Sequence, residues 1–309
     1  MTEGCGQPLF ELAGITRQYG SLTALSDLSL SVPPGAIGLL GPNGSGKTTM
    51  IRTLLGLIRP NSGSGRVLGL NIADHALDIR RQVGFAPEDE CLFPGVTGIE
   101  FVAYAGELVG MPATDAMQRA HEVLDYTGLG EVRYRKVESY SAGMKQRLKL
   151  AGAIVHDPQL LILDEPTNGM DPAGREDILR LAADLAHNKG MSLIFSSHLL
   201  PDVEAVCRYI VVLGNGRLLL QGPISELKQA RADCYEVRLK QPSEVFNQRL
   251  AAAGCTVRVR GELLAVKLPE GAAMAMVWQA AADSHSQIRH LRPQRSTLEE
   301  VFLDALEPH

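Results

Sequence analysis

Apolar positions along this chain fall into two alternating rhythms. Ala36-Ile37-Gly38-Leu39-Leu40 and Leu160-Leu161-Ile162-Leu163 are short unbroken runs that predict buried strands, the second suited to a parallel sheet covered on both faces. Leu9 to Ile15 and Leu25 to Val32 alternate and predict strands ahead of the first of these runs. Val67 to Ile72, Val83 to Pro87, Ser192 to Phe195 and Tyr209 to Leu213 add further strands. Asn215-Gly216 turns the last of them into Arg217 to Gln221. Between the strands the period lengthens. Met50, Ile51, Leu54, Leu55 and Leu57 mark a helix over Thr49 to Leu57. Glu100 to Val109, Asp115 to Thr127, Ser141 to Val155, Gly174 to His187 and Pro201 to Arg208 predict five more, and Arg59 to Gly65 reads as a turn.

From about Ser225 the character changes. A connecting helix over Ser225 to Ala232 leads to strand Cys234 to Leu239, helix Ser243 to Ala253, and strands Thr256 to Arg260 and Glu262 to Leu268. Helix Gly271 to Ala282, strand Gln287 to Leu291 and helix Thr297 to Leu306 follow. Ser296-Thr297-Leu298-Glu299-Glu300 offers a capping box in either register. The order βαββαβ predicts a small ferredoxin-like α+β domain. The expected division is therefore one domain over residues 7–222 and an accessory one over 225–309.

Composition adds bounds. A chain of 309 residues with 45% hydrophobic and 21% charged content supports a large core. A net charge of −5 argues against non-specific nucleic-acid binding, so no nucleic-acid partner is expected. Cys5, Cys91, Cys207, Cys234 and Cys255 lie far apart, which fits scattered reduced thiols rather than zinc or a disulfide framework. No segment approaches about 18 uninterrupted apolar residues, so a cytosolic protein is expected, with any membrane contact made through a partner.

The chemistry starts at Gly41-Pro42-Asn43-Gly44-Ser45-Gly46-Lys47-Thr48, which fits G-x-x-x-x-G-K-[ST] between a strand and a helix. Glycines let successive N–H groups turn inward around a phosphate, and the helix N-terminus adds partial positive charge. Lys47 is expected to reach the β and γ phosphates, and Thr48 to ligate Mg²⁺. Asp164, ending an apolar strand, is placed to hold Mg²⁺ directly or through water. Glu165 then faces the γ-phosphate side and positions or polarises the attacking water.

Tyr140-Ser141-Ala142-Gly143-Met144-Lys145-Gln146-Arg147 resembles the signature L-S-G-G-Q-[KR]-Q-R of ATP-binding cassette (ABC) ATPases, and it stands just ahead of the Asp164 strand as that family requires. Tyr19 resembles the aromatic that stacks on adenine, although by itself it equally well ends a strand. Asn168-Gly169-Met170-Asp171 is similar to the D-loop, and His198 to the switch histidine. The resemblance runs from about residue 7 to 222. It implies a P-loop nucleotide-binding domain with a RecA-like core, an antiparallel β subdomain and a helical signature subdomain. It implies ATP and Mg²⁺ as cofactors, the loop Gly41 to Thr49 as phosphate cradle, and Thr48, Glu88 and Asp164 around the metal. Glu165 and His198 are the implied catalytic residues. A head-to-tail dimer is implied as well, in which Ser141, Gly143 and Asp171 of one copy complete the site of the other. Three positions depart from the pattern: Ala142 for glycine, Met144 for glutamine, and Glu88 where glutamine is usual, a variant that the exporter branch often shows.

The chain carries one cassette, no long coiled-coil insertion and no zinc cysteines, which separates it from translation factors, chromosome ATPases and the excision-repair ATPase of the same superfamily. Arg292 to Phe302 resembles the tail of bacterial exporter ATPases paired with ABC-2-type permeases, including drug and antibiotic efflux ATPases. The expected partners are a second copy of the chain and a separately encoded integral membrane permease. That permease would hold the subunit peripherally on the inner face of the cell membrane. A soluble ABC ATPase of regulation, translation or repair is the alternative.

Overall fold

In the computed structural model, which describes residues 7–229, 234–261, 263–269, 271–293 and 298–306, the alternating N-terminal runs pair as an antiparallel hairpin, β1 (Phe10–Tyr19) with β2 (Leu22–Val32). The unbroken run is β3 (Ala36–Leu40), buried at every position, and it feeds α1 (Lys47–Leu54). β4 (Ser62–Val67) and β5 (Leu70–Asn71) complete the first sheet in the order β2-β1-β4-β5. After α2 (Ala76–Gln82) and β6 (Val83–Ala86), three helices pack on one another: α3 (Gly98–Val109), α4 (Ala113–Tyr126) and α5 (Ala142–Ile154). Strict alternation follows in β7 (Leu160–Asp164), α6 (Pro172–His187), β8 (Ser192–Ser196), α7 (Leu200–Val206) and β9 (Tyr209–Gly214), with β10 (Arg217–Pro223) folding back.

The second sheet runs β10-β9-β3-β8-β7-β6, parallel from β9 to β6 and closed by antiparallel β10. Parallel strands need helical crossovers, which cover the faces and leave room for apolar side chains alone in the strands. The carboxyl ends of β3, β7 and β8 therefore converge, the usual place for a ligand in such a sheet. Ile15, Leu25 and Leu28 of the hairpin share one core with Ile37 and Leu39 of β3 and Met50, Ile51 and Leu54 of α1. The hairpin and the helix behind the glycine loop thus stabilise each other. Leu54→Ala is expected to cost about 2–5 kcal/mol, read as a lower urea midpoint with unchanged slope.

The chain divides into two units, Met1–Ile224 and Ser225–His309. Around the second unit run α8 (Ile224–Gln229), β11 (Cys234–Leu239), α9 (Glu244–Ala252), β12 (Thr256–Arg260), β13 (Leu263–Lys267), α10 (Ala275–Asp283), β14 (Ile288–Pro293) and α11 (Leu298–Leu306). Its sheet order is β12-β13-β11-β14 with every pair antiparallel, the ferredoxin-like arrangement. Val237, Phe246, Leu250, Val266 and Val277 form its core. The capping box at Ser296 and Thr297 lies outside the described residues.

Three local expectations differ from the structure. Ser62-Gly63-Ser64-Gly65 is turn chemistry, yet it forms β4 because glycine lets it lie close against β1. A Cβ on Gly63 would stand 2.4 Å from the Gly14 carbonyl oxygen. The strand expected over Val67 to Ile72 is interrupted by a turn at Leu68 and Gly69, both at positive φ. Helix α2 went unpredicted because among its seven residues only Ile79 is buried, too few apolar positions to set a period.

Candidate functional site

The glycine loop is fixed by crowding. Gly46 has φ +103, and a Cβ there would meet the Ala24 carbonyl oxygen at 2.6 Å; on Gly41 it would meet Ser45 Oγ at 2.4 Å. Only glycine follows this path without displacing its neighbours. The loop delivers Lys47 and Thr48 to the first turn of α1, where four backbone N–H groups lack helical partners. The Lys47 ammonium is buried. It donates to the carbonyls of Gly41 (2.8 Å) and Pro42 (3.4 Å) and stands 3.8 Å from Glu165 Oε1.

Across from the loop, Asp164 ends β7 level with Ser196 of β8. Thr48 Oγ1 donates to Asp164 Oδ2 at 3.1 Å. The other carboxylate oxygen, Oδ1, and the Ser45 hydroxyl are buried with no hydrogen-bond partner. Buried polar atoms are seldom left so, and these two suit a hard cation and a phosphate oxygen. Glu165 sits at φ +48, a left-handed conformation costing a bulky residue about 1–3 kcal/mol. Its N–H donates to the Ser196 carbonyl at 2.9 Å, and its Oε2 lies 2.8 Å from His198 Nδ1. The turn directs an acid that a regular strand would send elsewhere.

Thr167 and Arg175 both bond buried Asp202, at 2.7 Å each. The segment after Glu165 is thereby locked to the helix after His198.

The glycine loop, Asp164 and Glu165 border a cavity of about 410 Å³, with His198 behind Glu165 and off the lining. Tyr19, Asn43 to Thr49, Glu88, Asp164 and Glu165 line it, together with Leu22 and Ala24. Tyr19 is 41% exposed at one end, and the Arg17 guanidinium covers one of its ring faces, 4.6 Å from the centroid. A cation on one face favours a ring held ready to stack on the other. Glu88, from the loop after β6, accepts from Asn168 Nδ2 at 3.2 Å. Gly41 and Pro42 hold the lysine through their carbonyls, as above.

Ser141, Gly143 and Asp171 do not line this cavity. Ser141 caps α5 by accepting from the Met144 N–H (3.3 Å), and Asp171 caps α6 by accepting from the Gly174 N–H (3.1 Å). Gly143 lies near Met170, whose methyl group would meet a Cβ there at 3.4 Å.

One participant escaped the sequence reading. Lys149 of α5 is 5% exposed and donates to the carbonyls of Pro87 (2.5 Å), Glu88 (3.2 Å) and Asp89 (3.1 Å), while Lys145 one turn earlier pairs with Glu90. Burial pushes the Lys149 ammonium below its ordinary pKa. The helix beginning at Ser141 is thus bonded to the loop that carries Glu88. A lysine between Leu148 and Leu150 on the buried side of a helix was the available signal. Lys149→Met leaves three carbonyls without their donor, at about 1–3 kcal/mol for an unsatisfied buried group. The expected result is a lower melting temperature with faster amide exchange over residues 88–91, both restored in part by Lys149→Arg.

The ABC transporter family pattern matches residues 25–168. The daunorubicin/doxorubicin resistance ATP-binding protein DrrA of Streptomyces peucetius is 33% identical, over 97% of this chain and 92% of its own. The linearmycin resistance ATP-binding protein LnrL of Bacillus subtilis is 31% identical over 96% and 97%. The Nod factor export ATP-binding protein I of Ralstonia nicotianae is 33% identical over 96% and 93%. Among solved structures, an ATP-binding subunit of an ABC transporter superposes with TM-score 0.64 at 28% identity, over 72% of this chain and 92% of that one. CbiO1 of Clostridium perfringens, part of the cbiONQ ABC transporter complex, superposes with TM-score 0.65 at 26% identity, over 72% and 91%. Likeness along almost the whole chain, on top of a strand–glycine-loop–helix facing Asp164 and Glu165, means that this protein belongs to the ATP-binding subunits of the ABC transporter family and is an ATPase.

Proposed function

We propose that the chain is the motor subunit of an exporter, working as a head-to-tail homodimer on a separately encoded membrane permease. The observation that carries this reading is the division of the motifs. Loop, Asp164 and Glu165 share one cavity, while the Ser141 end of α5 stands outside it with its own caps satisfied. In the proposed dimer, Ser141, the Gly143 amide and Asp171 of one copy close over the triphosphate held by the other. A helix N-terminus facing a phosphate supports that geometry.

Within each site, Tyr19 stacks on adenine and the amides of Gly41 to Thr49 hold the phosphates, with Lys47 on the β and γ groups. Thr48 and Asp164, with Glu88 beside them, are the residues that would hold Mg²⁺, and the orphaned Asp164 Oδ1 supports that fit. Bound there, the ion supplies charge neutralisation at the β and γ oxygens. Glu165 takes up or orients the proton of the attacking water, and His198 holds Glu165 and the γ-phosphate side in register. When the γ-phosphate leaves, the bridge to the opposing helix is lost and the dimer loosens.

Export is supported by the resistance and export roles in the relatives' names. A permease is supported by exposed Phe93 and Tyr104, which pack on one another as an apolar surface close in sequence to the Glu88 loop. Among the described residues no helix is long and apolar enough to cross a membrane. The test is affinity capture of the native chain from detergent-solubilised membranes. Recovery with a polytopic membrane protein encoded beside it is expected. Recovery entirely in the aqueous fraction, free of any membrane protein, would support the soluble alternative instead.

A further inference from the structure

We propose that the Ser225–His309 unit carries a ligand site of its own, a pocket for a small amphiphilic anion. The pocket has a volume of about 720 Å³ and lies between the first turn of α9 and neighbouring parts of β11, β12, β13 and β14. That volume falls within the range of about 300–1,000 Å³ usual for small-molecule sites. All of its lining belongs to this unit, and all of the nucleotide cavity to the other.

Three cations meet at the pocket from two stretches of chain: Arg238 on β11 with Lys240 just beyond it, and Arg289 on β14. None of the three forms an ion pair among the described residues. On the same sheet Arg292 is neutralised by Glu236, through a 2.7 Å bond from its Nε. Arg238 and its neighbours thus form a concentration of positive charge with no ion-pair partner among the described residues. Glu244 is the one acid on the described lining. Like charges gathered in one place repel one another, and a bound anion relieves that repulsion. The start of α9, capped by the Ser243 hydroxyl on the Phe246 N–H, adds the positive end of a helix dipole.

The rest of the lining defines the body of the ligand. Val259 is 65% exposed on β12, and Leu239 and Leu264 make the adjoining surface apolar. A free inorganic anion would leave that surface wet. Asn247, from the second turn of α9, also lines the pocket, and its Oδ1 is buried with no hydrogen-bond partner. Its side-chain amide adds a polar group to the wall. The combination fits a carboxylate or phosphate monoester on an aliphatic or aromatic body. Bare phosphate lacks the body, and a neutral lipid lacks the charge.

The test uses the full chain with its nucleotide site saturated by ADP. Octanoate and octyl phosphate are titrated calorimetrically, with 1-octanol and inorganic phosphate as the two halves of the chemistry. One-to-one saturable binding of either amphiphile is expected, with both halves much weaker. A tighter octanoate identifies a carboxylate ligand, and a tighter octyl phosphate a phosphate ester. Arg238→Glu with Arg289→Glu should weaken binding at least about ten-fold, the scale of one lost charge-assisted bond, with basal ATP hydrolysis unchanged. Binding should persist in Lys47→Ala, in which the nucleotide loop is disabled. Three results would each overturn the proposal: no saturable binding of either amphiphile, binding insensitive to the charge reversals, or binding lost in Lys47→Ala. So would a charge reversal that alters only self-association, because the face would then serve a second copy of the chain.

Discussion

Replacing Glu165 by glutamine lowers ATP turnover by about two to four orders of magnitude, the range in which a positioned general base contributes, and leaves nucleotide binding intact. The substitution keeps the shape of a side chain held by its φ of +48, by the Ser196 carbonyl on its N–H and by His198. What it removes is the carboxylate that, in the role proposed for it, takes up or orients the proton of the attacking water. ATP then stays bound, and an ATP-dependent dimer should accumulate and be visible by sedimentation. His198→Ala is expected to act in the same direction with a smaller effect, because it loosens Glu165 without removing it. Turnover at the wild-type rate in Glu165→Gln would show that another group serves as base.

Lys47→Ala acts earlier, on binding. The ammonium is buried between the Gly41 and Pro42 carbonyls and Glu165, so it offers charge-assisted donors where water does not compete. Hydrogen bonds to charged groups are worth about 1.5–3 kcal/mol, which corresponds to ATP affinity weaker by about ten- to a hundred-fold, read by calorimetry with the unhydrolysed nucleotide. The same change strands Glu165 as a buried acid without its cation. A measurable fall in melting temperature should therefore accompany the loss of affinity. If affinity holds while stability falls, the lysine is a strut for the glycine loop rather than a phosphate ligand.

Both predictions concern residues that could be read from the chain, and the reason is local. Glycines at Gly41 and Gly46 are demanded by close contacts, Lys47 and Thr48 follow them on one helix turn, and Asp164 and Glu165 end an unbroken apolar strand. Each signal needs only a few neighbouring residues. Elements defined by their partners were harder to see. β4 is a strand because β1 lies beside it, although Ser62 to Gly65 carries turn chemistry. Helix α2 buries Ile79 alone and leaves Leu77 exposed. Lys149 becomes meaningful only when three carbonyls distant in sequence are brought to its ammonium. The ferredoxin-like order of the second unit was legible because its local periods switch in the sequence βαββαβ, with two strands adjacent between the helices. Its pocket was not, since Arg289 joins Arg238 and Lys240 only in three dimensions.

The proposal that each site is shared between two chains is tested most directly by mixing two inactive variants. Lys47→Ala disables the loop of one chain, and Ser141→Arg places a bulky cation where the helix end of the other must close. If sites are shared, a mixed dimer contains one site built from the intact loop of the Ser141→Arg chain and the intact α5 end of the Lys47→Ala chain. ATP hydrolysis, absent from each variant alone, then returns on mixing. If every chain hydrolyses ATP with its own residues only, Ser141→Arg alone keeps its activity, because Ser141 lies off its own chain's cavity, and mixing adds nothing.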